Sequence, residues 1–277
     1  MIEPGFSESQ LQQAANISFS MKIGRRHGRP PYFYVPSLLA EFNLGWDTGF
    51  FLPWFPYAPR ESDHGCNFFV QYKLSVVLTS SGAKEWSHWG EEYFRFKIPH
   101  SRRNSTGTFV DDYHQWHRLK ALADLSFPTF YATNALCDKD EFMREFEAGN
   151  VLDHVPLLDV RGVANEHKYV TFTANSGAFA LHSELEESNR RSFSDVLRSL
   201  PDEEEQTTIA QAITRVERAV IEIGAKDEAW TRDLERLRED LNTPMPQELK
   251  PWIKFSLLAA FLRKHIGVAM YWLQKAA

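Results

Sequence analysis

The apolar positions in the last third of the chain repeat with a helical period. Ile209, Ile213, Val216, Val220 and Ile223 step by four, three, four and three, and Trp230, Leu234, Leu237 and Leu241 by four, three and four. Each set lines one face of an amphipathic helix. Gly224 and Pro244 punctuate the two, and a third, more apolar helix is predicted over 251–274. The first two thirds are patterned differently. Phe68-Phe69-Val70 lies in an aromatic strand predicted over 67–75, and Tyr93-Phe94-Arg95-Phe96-Lys97-Ile98 alternates in its second half as a half-buried strand does. Further strands are predicted at 46–52, 129–133, 157–163, 169–173 and 179–182, and helices at 7–17, 110–125 and 141–148. Ser37 is a candidate N-cap for a short helix that Gly45 stops. Glycines and prolines make 18–36 an extended loop and 53–59 an irregular one. The acidic run Asp202-Glu203-Glu204-Glu205 suits a linker or the negative first turn of a helix. Mixed strands and helices predict an α/β core with an N-terminal extension over 1–190, followed by a C-terminal helical region over 191–277.

The strand over 67–75 carries the most informative chemistry. Gln71 and Lys73 are two residues apart, so a strand presents both on one face. Upstream, Glu41 and Asp47 flank Gly45-Trp46, with Asp47 at the predicted start of a strand. Residues 37–75 resemble the catalytic core of the PD-(D/E)XK, or restriction-endonuclease-like, superfamily. The likeness is to variants in which Gln replaces the second acid, as in Mrr-type restriction enzymes and a group of uncharacterised bacterial proteins. The resemblance implies a mixed sheet flanked by helices and a nuclease that hydrolyses DNA with Mg²⁺ or Mn²⁺. It implies that Asp47 is the main metal ligand, that Glu41 reaches the same ion from a helix, and that the Gln71 amide oxygen and the Tyr72 carbonyl complete the set. Lys73 would orient the attacking water or stabilise the phosphorane-like charge. The helix after such a strand often faces substrate, which makes His114, Gln115 and Arg118 candidate phosphate contacts. A role in bacterial defence against foreign DNA follows by analogy alone. Glu61 and Asp63 are rival acids, and Gln71 in place of an acid weakens the expected grip on metal.

Charge and composition refine this expectation. The chain has 277 residues, a net charge of −6 and 43% hydrophobic residues, the balance of a globular protein with a sizeable core. A net negative charge argues against broad coating of DNA. Basic residues nevertheless cluster twice: around Arg25 and Arg26 with Lys22, His27 and Arg29, and at Lys97, His100, Arg102 and Arg103. Either cluster is a phosphate-contacting rim or solvated loop charge.

Cys66 and Cys137 are too few and too distant for a disulfide framework or a zinc ribbon. A cysteine–histidine hydrolase on either thiol is a remote alternative. His182-Ser183-Glu184 lacks the downstream cysteines of a deaminase, and phosphate-loop and dinucleotide-binding glycine motifs are absent. No apolar run has the length of a membrane span, and the start Met1-Ile2-Glu3-Pro4 lacks the basic character of a signal peptide, so a cytoplasmic protein without a membrane partner is expected. The aromatic content of 251–274 suggests self-association or a protein partner through the C-terminal helices. The alternative to a nuclease is a catalytically inactive nucleic-acid-binding or assembly module on the same fold.

Overall fold

The computed structural model describes residues 1–27, 64–103, 107–224, 228–242, 244 and 250–274. The predicted helix beginning at Ser37, the strand at 46–52 and the proline-rich loop at 53–59 lie outside these residues. The chain divides into two units, one of Met1–Phe19 with Val70–Ser199 and the other of Ser20–Phe69 with Leu200–Ala277. The architecture is mixed α/β, with mixed and antiparallel sheets flanked by helices.

Helix α1 (Glu8–His27) opens the first unit. Ser7 and Gln10 cap it reciprocally: the Gln10 N–H donates to Ser7 Oγ at 3.2 Å, and the Ser7 N–H donates to Gln10 Oε1 at 2.8 Å. The helix runs well past the predicted end at 17. Its buried stripe of Leu11, Ala14 and Ala15 continues through Ser18 and Phe19, and an isolated Gly24 does not interrupt it. The loop predicted from 18 onward is therefore helical as far as His27.

Strand β1 (His64–Tyr72) contributes its last three residues to this unit. There follow β2 (Val76–Leu78), the short helix α2 (Trp86–Trp89), β3 (Tyr93–Lys97), β4 (His100–Arg103) and β5 (Phe109–Asp112). The helix predicted from 110 begins at His114 instead. Val110, Asp111 and Asp112 pair across the ribbon with Arg102, Ser101 and His100, and this cross-strand pairing outweighs the helical spacing. Helix α3 (His114–Asp124) then turns Trp116, Leu119, Leu122 and Ala123 to the core. Next come β6 (Thr129–Ala132), α4 (Lys139–Ala148), β7 (Pro156–Asp159), β8 (Tyr169–Phe172), β9 (Ala178–His182), β10 (Glu186–Asn189) and β11 (Arg191–Ser192).

These strands form three sheets. The central one runs β11-β7-β6-β1, an antiparallel meander runs β10-β9-β8-β3-β2, and β4-β5 stands as a two-stranded ribbon. β1 and β6 run in the same direction. The Lys73 N–H donates to the Ala132 carbonyl at 2.9 Å and the Ser75 N–H to Asn134 Oδ1 at 2.8 Å, both partners 59 residues apart. A constant offset is the signature of parallel neighbours, and α3 lies on the crossover that joins them.

The second unit holds the start of β1, flanked by β12 (Thr207–Thr208) and β13 (Ala269–Gln274). Helix α5 (Phe193–Glu203) ends in the acidic run, so those carboxylates sit at a helix C-terminus and beyond it, not in a first turn. Helix α6 (Ile209–Gly224) begins instead behind Thr208, whose hydroxyl accepts the Gln211 N–H at 3.3 Å while its own N–H donates to Gln211 Oε1 at 3.0 Å.

Helices α7 (Glu228–Asn242) and α8 (Lys250–Ile266) pack on α6 around Trp230. The Trp230 indole N–H donates to the Val220 carbonyl at 2.9 Å, and its ring meets Phe261 edge-on at 5.1 Å. The predicted helix over 251–274 breaks at Gly267, whose φ of +79° is the left-handed conformation of a helix stop. The chain continues as β13, and Tyr271 stacks on Phe68 at 4.8 Å. Phe261 and Tyr271 are buried, and Ile253, Phe255 and Trp272 are half-buried. Among the described residues no helix is long and apolar enough to cross a membrane.

A Cβ on Gly224 would collide with the indole ring of Trp230, whereas one on Gly82 meets nothing closer than 3.7 Å. Gly224→Ala is expected to cost about 1–3 kcal/mol through overpacking. Gly82→Ala is expected to stay within about 0.5 kcal/mol. Urea unfolding of the two variants beside the parent protein checks the contrast.

Candidate active site at the end of β1

Phe68, Phe69, Val70 and Tyr72 are buried, and they carry the strand out of the core to its polar end. Gln71 and Lys73 share a face there. Although Tyr72 is the last ladder residue, the bond from Lys73 N–H to Ala132 keeps the extended geometry for one residue more. Gln71 Nε2 donates to Gln115 Oε1 at 2.8 Å, and Gln115 sits in the first turn of α3. Lys73 Nζ lies 2.9 Å from His100 Nε2, at the first position of β4. His100 Nε2 also touches Gln115 Oε1, which links Gln71, Gln115, His100 and Lys73 into an open ring of four side chains.

The electrostatics of this ring are unusual for a lysine. Lys73 is only 7% exposed. Among the described residues no carboxylate forms a salt bridge with it. Burial pushes its ammonium below the ordinary lysine range, and the charge of Glu8 on α1 works in the opposite direction. His100 is lowered as well, first by burial and then by the Lys73 charge. A buried cation beside a neutral imidazole favours an incoming anion. His100 itself is exposed, so the ring opens to solvent on that side.

The structure thus brings Gln71, Lys73 and Gln115 together, and it adds His100 and Glu8. In the sequence His100 is one member of a basic cluster, and Glu8 is an acid at a helix start that compensates the dipole. Neither position carries a local signal for the site. His114 is exposed beside Gln115, its N–H donating to Asp112 Oδ1 at 3.0 Å, and Arg118 lies half-buried one turn further along α3. Arg102 and Arg103 follow His100 on β4 and are exposed. Arg25 is exposed on α1, in the second unit. The Arg26 side chain, Glu41, Asp47 and the rival acids Glu61 and Asp63 lie outside the described residues.

The donor set bears on metal binding. Among the described residues no group of three His, Cys, Asp or Glu side chains could hold a metal ion. The ring supplies amide oxygens and an imidazole, and Mg²⁺ prefers carboxylates and water. The described residues therefore do not fit a Mg²⁺ site by themselves, and hard anionic ligands would have to come from Glu41 and Asp47.

The thiols are poor nucleophiles. Burial pushes Cys66 up to about 12 and Cys137 up to about 11, against smaller lowering effects from hydrogen bonds to Gln206 and Asn134 respectively. Both are free cysteines. No family model, curated protein or solved structure matches the chain.

Lys73→Met removes a desolvated cation and one hydrogen bond and keeps the apolar stem. Stability at neutral pH is expected to hold or rise by about 1 kcal/mol. A loss above about 2 kcal/mol in urea unfolding would make Lys73 a structural anchor instead. Cys66 and Cys137 are expected to resist iodoacetamide at pH 8 in the folded protein and to react once it is unfolded in urea. Mass spectrometry of the alkylated chain reads both states.

Proposed function

We propose that the chain is a metal-dependent nuclease that hydrolyses phosphodiester bonds of DNA, with the end of β1 as its catalytic edge. The observation that carries this reading is the convergence of Gln71 and Lys73 with Gln115 and His100 at the carboxyl end of a parallel strand. Sites in open α/β sheets gather at such strand ends. Lys73 offers a buried cation to a phosphate oxygen as negative charge builds on it. Its neighbours His100 and Gln115 hold the Lys73 and Gln71 side chains in place. On this reading Glu41 and Asp47 would supply the carboxylates for Mg²⁺ or Mn²⁺, and the Gln71 amide oxygen would be a further, neutral ligand. The ion, when bound, lowers the pKa of the attacking water and neutralises phosphate charge. His114 and Arg118 on α3, Arg102 and Arg103 on β4, and Arg25 and Arg26 on α1 are the proposed contacts to the nucleic acid. A part in bacterial defence rests on the resemblance to restriction enzymes.

One observation favours a second reading. Gln71 carries a neutral amide, whose nitrogen donates to Gln115 at 2.8 Å, and its oxygen is a weaker metal ligand than the acid it replaces. On that reading the fold binds nucleic acid, or assembles with a partner, without cutting.

Incubation with plasmid, linear and single-stranded DNA in Mg²⁺, Mn²⁺ or EDTA separates the two. Lys73→Ala and Asp47→Ala are each expected to lower cleavage at least about a hundredfold with the fold retained. Asp47→Ala should also lose metal binding, and Gln71→Glu should tighten it. Wild-type cleavage by both alanine variants would place the active site elsewhere. DNA binding without metal-dependent cleavage by the parent protein would decide for the second reading.

A further inference from the structure

The ribbon β4-β5 is not part of either larger sheet. Its root is fixed. His100 meets Lys73, and Asp111 accepts salt bridges from Lys97 at 2.6 Å and Lys168 at 2.8 Å. Those two lysines hold Asp111 below the ordinary carboxylate range, Lys168 foremost. Ser101 adds a hydrogen bond from Lys97 at 2.8 Å.

Beyond the root the chemistry changes. Arg102 and Arg103 are adjacent, so they point to opposite faces of the ribbon. Arg102 pairs across the strands with Val110, and Arg103 with Phe109. The Arg103 guanidinium lies over the Phe109 ring, 5.0 Å from its centroid. Phe109 is 65% exposed, and the Arg102 side chain is 66% exposed and pairs with Asp112 at 3.1 Å. The acids thus sit at the root, and the arginines and the aromatic ring lie further out.

We propose that this ribbon is an arm that grips duplex DNA in its major groove, which deepens the nuclease reading by naming a double-stranded substrate. A major groove about 12 Å wide admits a two-stranded ribbon. A cation on each face lets one ribbon meet the phosphates of both groove walls, whereas a single strand would use only one face. Phe109 gives the arm an apolar contact for sugars and thymine methyl groups. The arm and the ring share His100's strand, so a duplex held by the ribbon has a backbone next to Lys73.

The test is binding of a fluorescent 20-base-pair duplex by the full chain in EDTA, read by anisotropy across a salt series, where no cleavage intervenes. The variant Arg102→Ala/Arg103→Ala is expected to bind at least about tenfold more weakly and to lower the slope of log K against log salt by about two. Phe109→Ala should weaken binding several-fold and leave the slope unchanged. Circular dichroism melting confirms that each variant is folded. Unchanged affinity and slope in the double variant would overturn the arm, as would failure of the parent protein to bind the duplex. An equal loss on a single-stranded oligonucleotide would overturn the duplex assignment. Because binding is read without metal, arm-dependent binding by a chain that never cuts DNA would sink the nuclease reading and leave the arm standing.

Discussion

The hydrogen bond from the Lys73 N–H to the Ala132 carbonyl, at 2.9 Å, decides where the candidate chemistry can be. It extends the parallel register of β1 and β6 one residue past the formal strand end. That residue's side chain therefore keeps the face of Gln71 and does not swing into a turn. The register is itself a product of the apolar run before it, since Phe68, Phe69 and Val70 have no polar alternative to burial. A slip by one position would exchange the two faces and send Lys73 away from His100. Gln115 and His100 depend on the same bond, because their partners are set by it.

The legibility of the chain follows from how local each signal is. Helices α6 and α7 stand where their four-and-three spacing places them, because one amphipathic face determines each. The end of α8 was less legible, since Ala269, Met270, Tyr271, Trp272 and Leu273 are apolar at every position and fit either period. Only the left-handed Gly267 and the partner strand β1 resolve it. The start of α3 fails for a similar reason, because Val110 to Asp112 take their conformation from the strand opposite. In the site, Gln71 and Lys73 were legible from a period of two. His100 and Glu8 were not, because they approach Lys73 from 27 positions downstream and from α1 through tertiary folding alone.

Asp111 shows how the same fold separates two kinds of charge. Its carboxylate is held between Lys97 and Lys168, which tie the ribbon root to β3 and to the start of β8. Among the described residues the Lys73 ammonium has no salt-bridged carboxylate and lies against the His100 imidazole, and Arg102 of β4 pairs with Asp112. Attraction for anions is thus concentrated at the end of β1 and along β4, within a chain whose net charge is −6. Local arrangement, not overall sign, sets what such a surface attracts.

The passage of β1 through both units has an evolutionary consequence. The boundary falls between Phe69 and Val70, inside one continuous strand, and the second unit is assembled from two separate stretches of sequence. No single recombination event can add or remove that unit intact. A chain cut after Ser199 would also lose β12 and β13, the partners of the first half of β1, and would leave a bare aromatic strand edge of the kind that aggregates. The two units are therefore bound to be inherited together, and descendants of this chain should diverge by changing loops and side chains, not by shuffling modules.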